Sequence, residues 1–148
     1  MGDHVSIRWA TAVDGQRISA LLAAFRSELG YAADAVAPLP VSHEGPLHVA
    51  LAERARAAVG LAAAHRCHAL VRGTRFMLVT DIYVLAAHRR RGIATRLLNE
   101  VIALARRYGC ADVVLSVEGG NEATVASAMR TGFVQHSDLL LRYPLLAR

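Results

Sequence analysis

Asp81-Ile82-Tyr83-Val84-Leu85-Ala86-Ala87-His88-Arg89-Arg90-Arg91-Gly92-Ile93-Ala94 reads as a strand, a short loop and the opening of a helix. That helix begins without a capping residue. Ser, Thr, Asp or Asn is the usual choice, because a side-chain oxygen accepts the free backbone N–H groups of the first turn. Here three arginines and a glycine occupy the entry. The N–H groups are left free, the positive end of the helix dipole is uncompensated, and guanidinium groups surround it. This combination suits a bound anion, a phosphate or pyrophosphate above all. Gly92 lets a ligand approach the backbone because it has no Cβ.

The residues downstream support a real helix. Ile93, Ala94, Leu97, Leu98, Val101, Ile102 and Ala105 fall on one stripe at helical spacing, with Arg96, Asn99, Glu100 and Arg106 opposite. Gly109 is placed to end it. Val113-Val114-Leu115-Ser116-Val117 reads as a buried strand. Strand, anion-binding turn, helix and strand together predict a parallel or splayed sheet.

The common nucleotide motifs do not fit. A P-loop needs a lysine, and the chain has none. Gly-x-Gly-x-x-Gly is also absent. Arg89, Gly92 and Ala94 do spell Arg-x-x-Gly-x-Ala, which resembles the coenzyme A pyrophosphate loop of the GCN5-related N-acetyltransferase (GNAT) family. Asn121, followed by a short helix ending in Gly132-Phe133, resembles the family's second conserved block. The resemblance is specific from Phe76 to Phe133 and loose before it. It implies an α/β fold with a mixed, splayed sheet of about six or seven strands flanked by helices.

Length and composition bound the remainder. A chain of 148 residues is expected to form one acetyltransferase-like domain, 1–148, with no internal repeat or linker. No long uncharged apolar run predicts a membrane span, and the first residues have no signal-peptide pattern. Two cysteines, Cys67 and Cys110, make no disulfide or metal framework, which points to a reducing cytoplasm. All seventeen basic residues are arginine, which with the alanine excess reads as GC-rich coding. The net charge of +5 fits a polyanionic co-substrate. It would also fit nucleic acid, but no aromatic residues interleave with the basic ones, so that reading ranks last.

The other expected elements are a strand over Val5–Ala10, a helix from an Asp14 cap to Leu29, and strands Leu47–Leu51, Ala57–Val71, Phe76–Val84 and Leu139–Tyr143. Ile18, Leu21, Leu22, Phe25 and Leu29 would form the buried face of the first helix. Tyr31–Pro46 is irregular.

The resemblance implies acetyl transfer from acetyl-coenzyme A to a primary amine. Ile82, Tyr83 and Val84 would offer main-chain hydrogen bonds to the pantetheine and thioester from a parted strand edge. Arg89, Arg90, Arg91, Gly92, Ile93, Ala94 and Thr95 would hold the pyrophosphate, mostly through backbone N–H groups. Asn121 would cap its helix and contact the cofactor arm. Asp81 is unusual in an apolar strand and shares a face with Tyr83. It is either an amine anchor or base, or a carboxylate paired with an arginine such as Arg75 or with a tyrosine hydroxyl. Seven residues after Asn121 the family often has a Tyr that protonates the leaving thiolate. Here Ala128 stands there, leaving Tyr83, water or the thiolate's own low basicity to serve. That departure keeps open a coenzyme A-binding module without catalysis. His65, Cys67 and His68 do not share one face, so no metal is expected. His43 and Glu44 are read as polar loop residues near the acceptor, and His88 as a neighbour of the phosphate turn. The expected partner is a small-molecule amine or a peptide, a homodimer is admissible, and no membrane is expected.

Overall fold

The computed structural model describes residues 4–31, 45–118, 120–138, 141–142 and 145. In chain order the elements are β1 (Val5–Trp9), α1 (Gly15–Glu28), β2 (Leu47–Arg54), β3 (Ala57–Ala69), β4 (Thr74–Val84), α2 (Ile93–Arg107), β5 (Asp112–Leu115) and α3 (Glu122–Thr131). Five strands form one sheet in the order β1-β2-β3-β4-β5. The first four pair antiparallel, and β5 joins β4 in parallel. The sheet is thus mixed, as expected, but has five strands among the described residues rather than six or seven. The strand expected at Leu139–Tyr143 lies outside the described residues, apart from Leu141 and Arg142.

Helices cover both faces. Ile18 and Leu21 of α1 pack on Val49, Leu51, Leu61 and Tyr83. On the other face Ile93, Leu97, Leu98, Val101, Leu104 and Ala105 of α2, with Ala128 of α3, pack on Ala50, Ala52, Ala62, Ala64, Met77, Val79 and Val84. The many alanines on β2 and β3 let α2 approach the sheet closely, because a small side chain keeps the helix axis near the strands. Leu29, expected on the buried face of α1, is its C-terminal cap and is 48% exposed.

One irregularity organises the site. Ala63 stands opposite Asp81 and Ala64 opposite Val79, so Thr80 is an extra residue in β4. Such a bulge bends its strand and shifts side-chain alternation by one. Before it, Met77 and Val79 face α2; after it, Ile82 and Val84 do. Asp81 and Tyr83 are thereby turned to the α1 face. The bend also separates β4 from β5. Pairing covers only Phe76–Val79 against Asp112–Leu115, and Ser116 N–H to the Val79 carbonyl is the last bond. This is why β5 stops at Leu115 and not at Val117.

Other boundaries also differ from the sequence reading: β2 runs on from Leu51 to Arg54, β4 starts at Thr74 and β1 ends at Trp9. β3 ends at Ala69, because Leu70–Gly73 makes the turn, closed by Gly73 N–H on the Leu70 carbonyl. Asp14 sits at the start of α1 but does not cap it. Its carboxylate accepts two bonds from Arg8, at 2.8 and 2.7 Å, and one from the Thr11 N–H at 2.8 Å. An arginine on the neighbouring strand outcompetes the helix for it, since a charge-assisted bidentate pair is stronger than a neutral cap.

Candidate active site

Beyond the bulge β4 keeps β3 on one side and, among the described residues, has no strand on the other. Leu85 N–H donates to the Val59 carbonyl at 2.9 Å. Antiparallel alternation then directs the main-chain groups of Tyr83 towards Leu61, and those of Ile82 and Val84 to the open edge. The open edge therefore offers groups from two of the three residues singled out, and Tyr83 contributes its side chain. Gly60 permits the tight pairing here, since a Cβ on it would lie 2.8 Å from the Tyr83 carbonyl oxygen.

The chain leaves Val84 through a short 3-10 turn, Ala86–His88, and enters α2. Gly92 precedes α2 with φ +72°, Arg90 has φ +61°, and Arg91 between them is not in the positive region. No side chain caps α2. Its first helical bond is Arg96 N–H to the Gly92 carbonyl, so the N–H groups of Ile93, Ala94 and Thr95 lack helical partners. Nothing lies within 4 Å of where a Gly92 Cβ would stand. The uncapped, glycine-led helix start read from the sequence is present in the backbone.

Its arginines are not equivalent. Arg90 and Arg91 are exposed. Arg89 is turned back: its Nε donates to the Val84 carbonyl at 2.8 Å, and an Nη donates to Glu28 Oε2 at 2.6 Å. Glu28 Oε1 accepts from the Tyr83 hydroxyl at 2.8 Å. The Tyr83 ring is buried and stacks on Phe25, centroids 4.7 Å apart. Hydrogen bonds from Arg89 and then Tyr83 hold the Glu28 carboxyl below its usual range. Burial, then the bond to Glu28, raises the Tyr83 phenol above its usual value. Glu28 is not evident from the motif. Its one sequence signal is an acidic residue in the last turn of a helix, where the dipole disfavours it and a cationic partner is needed.

On the same face Asp81 is half-buried and accepts from the Thr80 hydroxyl at 2.8 Å. His65 Nε2 lies 3.1 Å from that hydroxyl oxygen. The hydroxyl has one proton and gives it to Asp81, so the imidazole nitrogen is the donor. Arg75, opposite His68 at the far end of β4, is not the partner of Asp81. The bulge thus lines up His65, Thr80, Asp81, Tyr83 and Glu28 on the α1 face.

Asn121 caps α3, its side chain accepting from Thr124 N–H at 3.2 Å. Ala128 is 5% exposed within the α2 cluster. His88 lies in the turn before Arg89, and His43 and Glu44 fall outside the described residues. Among the described residues no group of three or more His, Cys, Asp or Glu could hold a metal, and no helix is long and apolar enough to cross a membrane. A cleft of about 300 Å³ lined by Arg66, His68, Arg75, Tyr108 and Cys110 lies at the opposite end of β3 and β4 and shares no residue with this site.

An uncapped, arginine-flanked helix start thus lies beside the edge where β4 parts from β5. The sequence profile of the acetyltransferase (GNAT) family matches residues 16–133, and the chain belongs to that family, whose co-substrate is acetyl-coenzyme A. The mycothiol acetyltransferase of Saccharomonospora viridis is 33% identical over 138 residues; the match covers 90% of this chain but only 43% of that protein. The ribosomal-protein-alanine N-acetyltransferase of Brucella melitensis biovar Abortus 2308 has a similar fold, with a TM-score of 0.78, 22% identity, and 95% of this chain and 100% of that one covered. An aminoglycoside N-acetyltransferase in complex with CoA gives a TM-score of 0.81 at 19% identity, covering 99% and 98% of the two chains.

Proposed function

We propose that the chain transfers the acetyl group of acetyl-coenzyme A to a primary amine of a small molecule or peptide, by direct attack in a ternary complex. The observation that carries this reading is the uncapped start of α2 next to the free edge of β4. The N–H groups of Ile93, Ala94 and Thr95 would hold the pyrophosphate, with charge from Arg90 and Arg91. The main chain of Ile82 and Val84 would align the pantetheine arm, and Asn121 stands at the start of α3 to meet it.

The amine nitrogen attacks the thioester carbon, the C–S bond breaks, and the amine loses a proton. Asp81, half-buried on the α1 face, would anchor the ammonium or take that proton through water. The thiolate needs a proton in return. Tyr83 is a phenol on the same face as Asp81, but its proton is committed to Glu28 and burial keeps it on the oxygen, which favours water as the donor. One protein of similar fold, an aminoglycoside acetyltransferase, is in complex with sisomicin, so aminoglycosides belong in the panel of amines to be tested.

A second reading, coenzyme A binding without turnover, is favoured by Ala128. It is packed in the core and brings no donor to the position where the family often has a phenol. One experiment separates the two: calorimetry with acetyl-coenzyme A, then mass detection of acetylated amines from a panel. Binding with transfer supports the enzyme, and Asp81→Asn should then keep the affinity and lower turnover. Binding with no transfer to any amine supports the module.

A further inference from the structure

We propose that Glu28 and the phosphates of coenzyme A compete for Arg89, so that binding of the co-substrate frees a carboxylate on the acceptor side of the sheet. The inference rests on the reading of the α2 start as the coenzyme A seat.

Arg89 belongs to the anion turn by sequence, yet its guanidinium points away from it. One N–H is spent on the Val84 carbonyl and another on Glu28. Both groups matter to the reaction site. The Val84 carbonyl lies on the open edge of β4, where the pantetheine arm would seek acceptors. Glu28 comes from the last turn of α1, the helix that covers the Asp81–Tyr83 face. In this arrangement Arg89 blocks an edge acceptor, and its charge is neutralised before any phosphate arrives.

The arrangement is built to exchange. The side chains of Arg89 and Glu28 are 45% and 42% exposed, so the pair is solvated and held weakly. A pyrophosphate at the α2 start would bring two negative phosphates within reach of a planar donor that pairs well with them. When Arg89 turns to the phosphate, the Val84 carbonyl is uncovered. Glu28 keeps the Tyr83 hydroxyl on Oε1 and loses its cation on Oε2. A carboxylate with a vacated oxygen then faces the side from which an ammonium group would come.

Calorimetry with coenzyme A tests this on the full chain. Glu28→Gln keeps the hydrogen bond from Tyr83 and removes the competing charge. Its affinity should rise about three- to fivefold, with a steeper fall in added salt because one more charge pair forms. Arg89→Ala should weaken binding, and Glu28→Gln added to it should change little further. Unchanged or weaker binding by Glu28→Gln, or an equal gain with and without Arg89, overturns the competition. A wild-type chain that does not bind coenzyme A at all overturns the reading of the seat, and the competition with it.

Discussion

Two helices of this protein follow strands of the same sheet and begin in opposite ways. α3 completes its own first turn. Asn121 accepts the Thr124 N–H, and Glu122 puts a negative charge at the positive end of the dipole. α2 does neither. A left-handed glycine replaces the cap, no acidic residue enters the first turn, and arginines stand beside the free N–H groups. One helix start is chemically closed, and the other is short of an anion. α1 shows a third arrangement, since Asp14 is in the capping position but its carboxylate is held by Arg8 and Thr11. A residue type at a helix start therefore says little until its partner is known.

The largest expected effect sharpens this point at α1. Asp14 is 2% exposed and bonded to an arginine that also holds Glu53 at 2.7 Å. Asp14→Ala should destabilise the fold by about 2–3 kcal/mol, because it strands part of a buried ion network, and leave coenzyme A affinity unchanged. Thermal melting reads this as a fall of roughly 5–10 °C. The bond from Arg8 keeps the Asp14 carboxyl well below the usual carboxylate range in the folded state. The folded form thus binds fewer protons than the unfolded form over that interval. Its stabilisation is complete above the unfolded carboxylate value and drains away as pH falls through the acid range. Asp14→Ala should flatten that acid limb, and an unchanged limb would show that Asp14 does not set it.

Next comes a change that makes α2 more like α3. Asn tolerates the left-handed backbone better than other side chains do, so Gly92→Asn tests space more than strain. There is room for the added atoms within the protein, with nothing inside 4 Å of the new Cβ. The melting temperature should move by only about 2 °C, whereas acetyl-coenzyme A affinity should fall about thirtyfold, because the amide occupies the place of the pyrophosphate. Gly92→Val adds backbone strain of roughly 1–3 kcal/mol and should lose stability as well. If Gly92→Asn binds like the wild type, the phosphates do not sit on this turn.

How far the sequence reached follows from the same contrast. Local features were legible: the strand before the turn, the missing cap, the stripe of α2, and Asn121 as a cap all depend on residues within a few positions of each other. The alternation that puts Asp81 with Tyr83 was also legible, and it survives because the bulge lies before both. The bulge itself was not. Thr80 is an ordinary strand residue, and only its pairing with β3 shows it to be supernumerary. The partners of Glu28 and Glu53 were equally hidden. Arg89 is 61 residues from Glu28, and Glu53 is 45 from Arg8. Such pairs depend on which strands are neighbours, which no local pattern encodes.

The smallest expected effect is the most discriminating about the arginines. Arg90 adopts φ +61°, a conformation that costs a side-chain-bearing residue about 1 kcal/mol and costs glycine nothing. It is exposed, so its charge acts through solvent. If backbone N–H groups carry the anion, Arg90→Gly should relieve strain at one residue and remove one screened charge. The two effects oppose each other: stability should rise slightly or stay level, and coenzyme A affinity should fall by about threefold or less. The residual loss should vanish at high salt, because screening removes what the guanidinium added. Calorimetry at two salt concentrations measures it. A loss of tenfold or more that persists at high salt would mean that Arg90 grips the phosphates directly. The uncapped α2 start would then be a scaffold for arginines, and the contrast with α3 would lie in side chains and not in the backbone.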